Sequence, residues 1–311
     1  MNLAPPPTRR FRLPRREESD GSPERTLTSP LSRNQSAGRW GYGVLLGVLL
    51  LLTLLTVVPL LWMFLGGLKT STEIFRSPPT FLPQTWRWGN FQESWDSLRY
   101  ALYFRNTALI ALGSWLIQIV VASTAAYSLS RLRPVFGTAI LFLFIGTLMV
   151  PADAYLIPRY LTVLDVPLFG VSLVDSWWAV WLPSAVSAFN IFLLKSFFDQ
   201  IPQDLTDAAT LDGANAWQVF IQIILPLSKP VIAVVSIFAF INSWKDFFWP
   251  LLVLNDPNIQ PISVALYRLS ESESLNLIVA ALAIASLPPL IAFFIFQRQI
   301  IAGITLSGIK G

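Results

Sequence analysis

Lys245 and Asp246 interrupt an apolar run that extends from about residue 229 to 254, with Trp244 beside them and Asn242 close by. A charge near the middle of a bilayer costs about 2.5–3.5 kcal/mol on insertion scales, so such a group turns to a cavity or a partner. On a helix, Asn242 lies about one turn from both charges and can share a polar face with them. The run therefore offers Asn242, Trp244, Lys245 and Asp246 as a polar wall of a translocation path. Two other readings remain open. The charges can pair with another span or subunit, or Lys245 can extend its ammonium to the outer interface. The rest of the chain narrows the chemistry. It has no His and no Cys, which removes imidazole bases, thiol nucleophiles, disulfides and the usual zinc sites. It also lacks a GxxxxGK[ST] phosphate loop, so it carries no site for ATP chemistry. With no clustered carboxylates in its apolar windows, a membrane-embedded enzyme is disfavoured.

The elements that must position these residues are membrane helices. The 311 residues are 54% hydrophobic and only 13% charged, against about 25% charged in soluble domains. A spanning helix needs about 20 mostly apolar residues. Charge-free windows run over 40–68, 106–130, 134–152, 176–194 and 274–297, and the run holding Lys245 and Asp246 adds another. The spacing predicts six transmembrane helices near 42–66, 106–130, 134–152, 174–195, 229–254 and 276–298. Inside lipid every backbone group must be satisfied within the protein, so the expected class is an all-α polytopic helix bundle. Residues 40–311 form the predicted transmembrane domain.

Residues 1–39 are rich in Pro, Ser and Arg and hold eight of the 22 Lys and Arg residues. With no apolar period they read as a disordered basic tail. The basicity thus belongs to a tail and to membrane-flanking segments, and nucleic acid is not the implied partner. The tail and the short Arg131/Arg133 loop place both termini in the cytoplasm. Trp177, Trp178 and Trp181 near the outer end of the fourth span suit interfacial anchoring, with stacking on a sugar ring as the alternative. Pro151 to Leu164 reads as a short external interfacial helix.

The connection over 197–228 has structure of its own. Pro202 can open a helix, and Asp204 and Asp207 suit the positive end of its dipole. Leu205, Ala208 and Ala209 recur at helical spacing. Gly213 fits a left-handed C-terminal cap. Trp217, Phe220, Ile221 and Ile224 then mark a second short helix that Pro226 ends. The small face at Ala208 and Ala209 permits another protein to approach closely. On spacing alone, an amphipathic hairpin lying on the lipid surface fits as well.

The stretch Asp207-Ala208-Ala209-x-x-Asp212-Gly213-Ala214, followed by Ile224-Leu225-Pro226, resembles the EAA loop of ABC importer permeases, and more narrowly the MalG-type carbohydrate permeases. Arg105-Asn106-Thr107, Met149-Val150-Pro151, Leu156-Ile157-Pro158, Trp244 through Leu252 and Gly303-Ile304-Thr305 support the same resemblance. The family's Glu is Asp207 here, and Lys245 stands where relatives more often carry Asn. The resemblance implies that Asp207, Ala208, Ala209, Asp212, Gly213 and Pro226 couple the chain to a partner ATPase. It implies a second permease subunit, two ATPase subunits that bind the ATP, an extracytoplasmic sugar-binding protein and a carbohydrate substrate. It also implies residence in the bacterial inner membrane, with no cofactor and no enzymatic activity of the chain's own. A polyol or glycerol-phosphate permease and, less favoured, an ion-driven carrier are the rival functions.

Overall fold

The computed structural model describes residues 36–307. The basic tail, apart from its last four residues, and the extreme C-terminus lie outside the described residues. The chain divides into two units, 1–58 and 59–311. In the first, the described part is the leading portion of α1 (Ser36–Gly67), so the helix begins a few residues earlier than the tail composition suggests. Leu and Val occupy α1 all round its circumference, as expected for a helix surrounded by hydrocarbon.

The second unit holds the rest. α2 (Tyr100–Tyr127) is long and ends in a π-helical turn at Ser128–Leu132. α3 (Gly137–Thr147) and α4 (Leu156–Leu164) follow, with a 103° bend between them. α5 (Trp178–Ser184) and α6 (Ala188–Phe198) meet at 44°. α7 (Gln203–Leu211) and α8 (Ala216–Val219) form the connection, which continues through a π-helical turn at Phe220–Ile224. The segment Ala216–Leu227 turns by 82° into α9 (Lys229–Lys245). α10 (Phe248–Val253) and α11 (Leu275–Ser307) follow, and shorter helices lie at Gly89–Ser97, before α2, and at Ile262–Leu269, between α10 and α11. Among the described residues there are three helices long and apolar enough to span, and up to six crossings if each bent pair is one span. Among the described residues there is no strand, only an isolated bridge between Val166 and Val171. The fold is an all-α membrane bundle.

Three of the expected spans are broken rather than continuous. The window 134–152 holds the eleven residues of α3 alone. The window 174–195 breaks at 185–187, after Pro183, and resumes when the Ser187 side chain caps α6 by accepting from the Asn190 N–H. The run 229–254 stops at Lys245: Asp246 is extended (φ −63°, ψ 127°), and α10 starts afresh. Hydropathy sees apolar content and charge, but it does not see these changes of direction.

α2 and α9 are the central pair, and their faces build the core. At one end Ala122, Ala126, Leu194, Phe198, Ile224 and Val235 pack together. Around the first turns of α2, Tyr100 and Tyr103 meet Leu266, Leu277 and Ala281. Ile110, Val163, Ala179, Val180 and Trp249 make a third cluster. Indole N–H groups bolt these layers by donating to carbonyls of neighbouring helices. Trp181 donates to Ile110 at 3.1 Å, Trp249 to Ala179 at 2.9 Å and Trp244 to Ala285 at 3.1 Å.

Gly113 on α2 is where Trp181 comes closest. A Cβ there would lie 2.3 Å from the indole ring, whereas one at Gly146 would meet nothing within 4 Å. Overpacking of a filled site costs about 1–3 kcal/mol. Gly113→Ala is therefore expected to lower the thermal unfolding temperature in detergent, with Gly146→Ala as the silent control. Equal transitions for the two variants would contradict this packing.

Candidate functional site

The breaks in the spans surround a cavity of about 1160 Å³, bounded by α2, α3, α4, α5, α6 and α9. Its polar lining comes from every side. α2 gives Ser114 and Gln118, α4 gives Arg159, the α5–α6 break gives Ser184 and Ser187, and α6 gives Asn190. α9 and its end give Asn242, Ser243 and Asp246. Gln118 and Asn190 are joined across the cavity wall: Asn190 Nδ2 donates to Gln118 Oε1 at 3.0 Å, and Gln118 Nε2 donates to the Ser184 carbonyl at 2.8 Å. That carbonyl belongs to the helix break, so the amide satisfies a group that the bend would otherwise strand.

Asp246 stands where α9 ends, with its carboxylate turned toward the backbone N–H of Trp249. Across the cavity, Arg159 lays its guanidinium 3.9 Å from the centre of the Trp249 ring. Arg159 and Asp246 lie within electrostatic reach of each other. They are farther apart than an ion pair; among the described residues the one pair within 4 Å is Lys195–Asp199. One positive and one negative group thus share the cavity wall with hydroxyls and amides.

Of the four residues expected to form a polar wall, Asn242 and Asp246 line this cavity, while Trp244 and Lys245 do not. Trp244 lies about 200° round the helix from Asn242, since each residue advances about 100°. It is buried against Phe104, Phe240 and α11. Lys245 is exposed and sits in the last turn of α9, where its charge complements the helix dipole. Neither charge is set within a continuous helix, because the helix ends between them. Ser114, Gln118, Arg159 and Asn190 were not singled out from the sequence. Gln118 and Asn190 were detectable as amides within charge-free windows. Arg159 was not, because its segment reads as a short external interfacial helix.

The loop residues form a second locus. α7 carries Asp207 and Ala208 exposed, while Ala209 is partly buried against the core. The two alanines therefore do not share one free face: Ala209 seats the helix on the bundle. Asp212 caps α7, and Gly213 has φ +87°, the left-handed conformation that favours glycine. Asn215 and Gln218 close a reciprocal capping box at α8. Pro226 lies in the short helical segment Leu225–Leu227, just before the 82° turn.

Two anchors hold this loop to the spans. The Tyr127 hydroxyl at the end of α2 donates to the Ala216 carbonyl at 2.8 Å, and its ring meets Phe220 at 4.9 Å. Arg131 Nη2 donates to the carbonyls of Phe198 and Ile201, both at 2.5 Å, and so caps the end of α6. Ser130 and Lys195 converge on the Asp199 carboxylate at 2.6 and 2.7 Å.

Residues 118–305, which hold most of the cavity wall and the whole loop, match the family model described as binding-protein-dependent transport system inner membrane component. The chain belongs to this family. The permease is 30% identical to the sulfoquinovosyl glycerol transport system permease SmoH of Agrobacterium fabrum, over 81% of this chain and 88% of that one. It is 29% identical to the lactose transport system permease LacG of Rhizobium radiobacter, over 85% and 94%. A solved bacterial ABC transporter involved in import of the acidic polysaccharide alginate shares the fold, with a TM-score of 0.73, 23% identity, and coverage of 85% of this chain and 98% of that one. The permease is thus a membrane transport subunit and not an enzyme.

The permease has no native Cys, so a single introduced thiol reports its own surroundings. Asn242→Cys is expected to react with a charged, water-borne thiol reagent, whereas Val235→Cys, fully buried in the core, is expected to stay unmodified. Equal modification of the two would rule out an aqueous cavity at Asn242.

Proposed function

We propose that the permease is one transmembrane subunit of a bacterial ABC importer, forms half of a translocation pathway, and passes a carbohydrate through the cavity between α2, α6 and α9. The observation that carries this reading is the chemistry of the cavity wall. It is roomy, rich in hydroxyls and side-chain amides, and balanced in charge by Arg159 and Asp246. A polyhydroxylated solute exchanges hydrogen bonds with such a wall without stranding a charge. The lactose system named for one relative accords with this.

The proposal extends to the partners. A second permease completes the pathway, and an extracytoplasmic binding protein delivers the sugar. Two ATPase subunits bind the ATP, and one of them docks at this chain's loop through Asp207, Ala208, Ala209, Asp212, Gly213 and Pro226. Leu211 is 89% exposed and Trp217 60% exposed, so the loop carries apolar side chains free for a partner. The protein resides in the cytoplasmic membrane with both termini inside. A second reading, uptake of a phosphorylated or sulfonated polyol, is favoured by one observation: Arg159 supplies a cationic fork to the cavity, and SmoH is named for a sulfonated glycoside. Lys245 does not serve that reading, since it lies outside the cavity.

Coupling works only through contacts that differ between two states of the bundle. Gly213→Pro, which cannot adopt a positive φ, and Ala209→Asp, which places a carboxylate against the core, are expected to leave membrane insertion intact and to abolish ATP-driven uptake. Uptake of labelled sugar by the reconstituted importer, with and without ATP, decides this. Transport at the normal rate in either variant, or transport driven by an ion gradient without ATP, would defeat the proposal.

A further inference from the structure

Among the described residues, five buried side-chain polar atoms have no hydrogen-bond partner, and three of them belong to residues of the cavity wall: Ser114 Oγ, Arg159 Nε and Ser243 Oγ. Buried polar groups are normally satisfied, and each exception calls for an explanation. Ser114 is 97% buried by residue, at 3% exposure, yet faces the cavity. Among the described residues Arg159 makes no hydrogen bond, although a guanidinium carries five donors in a rigid plane. Its Cζ lies over the Trp249 ring, 3.9 Å from the centroid, a cation–π contact that holds the guanidinium without using its N–H donors. Asp246 shares the cavity within electrostatic reach, too far to pair directly.

We infer that Arg159, Asp246, Ser114 and Ser243 form a solute subsite on this subunit itself, one that recognises neighbouring hydroxyl groups of a neutral sugar. This rests on the cavity being the solute path. A pair of adjacent sugar oxygens matches the two parallel N–H groups that guanidinium presents, and a sugar hydroxyl can donate to the Asp246 carboxylate in return. The serine hydroxyls accept from or donate to further ring substituents. The tryptophan contact holds the fork in place and cuts the entropy lost on binding. A phosphate or sulfonate would also suit Arg159, but would approach the Asp246 carboxylate as a like charge. Specificity here is therefore partly repulsive. Removing that carboxylate should admit anions.

The test uses the full chain in its assembled importer, with Asn242→Cys as reporter and protection from a charged thiol reagent as the readout. The probes are lactose, maltose and cellobiose as neutral sugars, with glucuronate and sn-glycerol 3-phosphate as anions. At least one neutral probe is expected to protect the thiol in the otherwise unaltered importer. Arg159→Met is expected to raise the midpoint of that protection at least tenfold, with Arg159→Lys between the two. Asp246→Asn is expected to shift the ratio of anion to neutral protection at least tenfold toward the anions, a change that mere loosening of the fold would not produce. Co-elution with the partner subunits shows that each variant has folded. If protection midpoints and the anion-to-neutral ratio are the same in all variants, the subsite is wrong while the path stands. If no probe protects the unaltered importer, the path itself is wrong and the subsite falls with it.

Discussion

A carbonyl released from a helix inside a bilayer finds no water, so every bend in a span must be closed by the protein itself. That requirement organises this permease. The α5–α6 bend frees the Ser184 carbonyl, which Gln118 takes up, and Ser187 accepts the Asn190 N–H. Beyond α10, Gln260 donates to the carbonyls of Leu254 and Asn255, and Asn106 to those of Asn258 and Gln260. The indoles of Trp177, Trp181 and Trp249 reach the carbonyls of Ile259, Ile110 and Ala179 in the same way. Each of these donors is a polar side chain in an apolar setting. Each is placed where a helix stops or turns, or where another helix must be held against it.

The same requirement explains why the cavity lies where it does. Bent helices cannot pack along their full length, and space opens on the inside of the bends. Polar side chains recruited to close the backbone already face that space, so an otherwise apolar wall carries amides and hydroxyls without extra insertion cost. Asp246 illustrates the economy of the arrangement. Its carboxylate faces the first turn of α10, beside the α9 break, and also looks into the cavity. Arg159 is held differently, by the face of Trp249 rather than by a carboxylate. A tight ion pair with Asp246 would have closed both groups to a solute. Their separation leaves donors and an acceptor available within one wall.

Much of this was legible in the sequence, and the rest was hidden for physical reasons. Six apolar windows were readable because charge is excluded from lipid. The loop at 197–228 was readable because Gly213 and the Asp207-Ala208-Ala209 pattern punctuate it, and φ +87° at Gly213 accords with the left-handed cap. The breaks at 185–187 and 246–247 were not readable from hydropathy, which registers apolar content and charge but not a change of helix direction. Trp244 lies on the opposite side of a regular stretch of α9 from Asn242, so nearness in sequence did not place it in the wall; past Lys245 the helix ends, and sequence spacing no longer fixes direction. Arg159 escaped notice because its significance depends on contacts with Trp249 and Asp246, far away in the chain.

The two anchors of the loop bear on how movement could reach the cavity. Tyr127 ties α8 to the end of α2, and Arg131 ties the α6 terminus to the π-helical turn that follows α2. α2 and α6 both wall the cavity. A second π-helical turn, Phe220–Ile224, packs in the same cluster as Tyr127 and Leu129. Such turns interrupt regular hydrogen bonding and often mark functional positions. A displacement applied to the rigid α7–α8 pair would reach α2 through the Tyr127 hydrogen bond and α9 through Ile224 and Ser228. The Ser228 N–H donates to the carbonyls of Ile224 and Leu225 at 3.0 and 3.2 Å. These two helices carry Ser114, Gln118, Asn242 and Ser243. In the proposed importer, a push at the loop would therefore reach the cavity wall through these contacts alone.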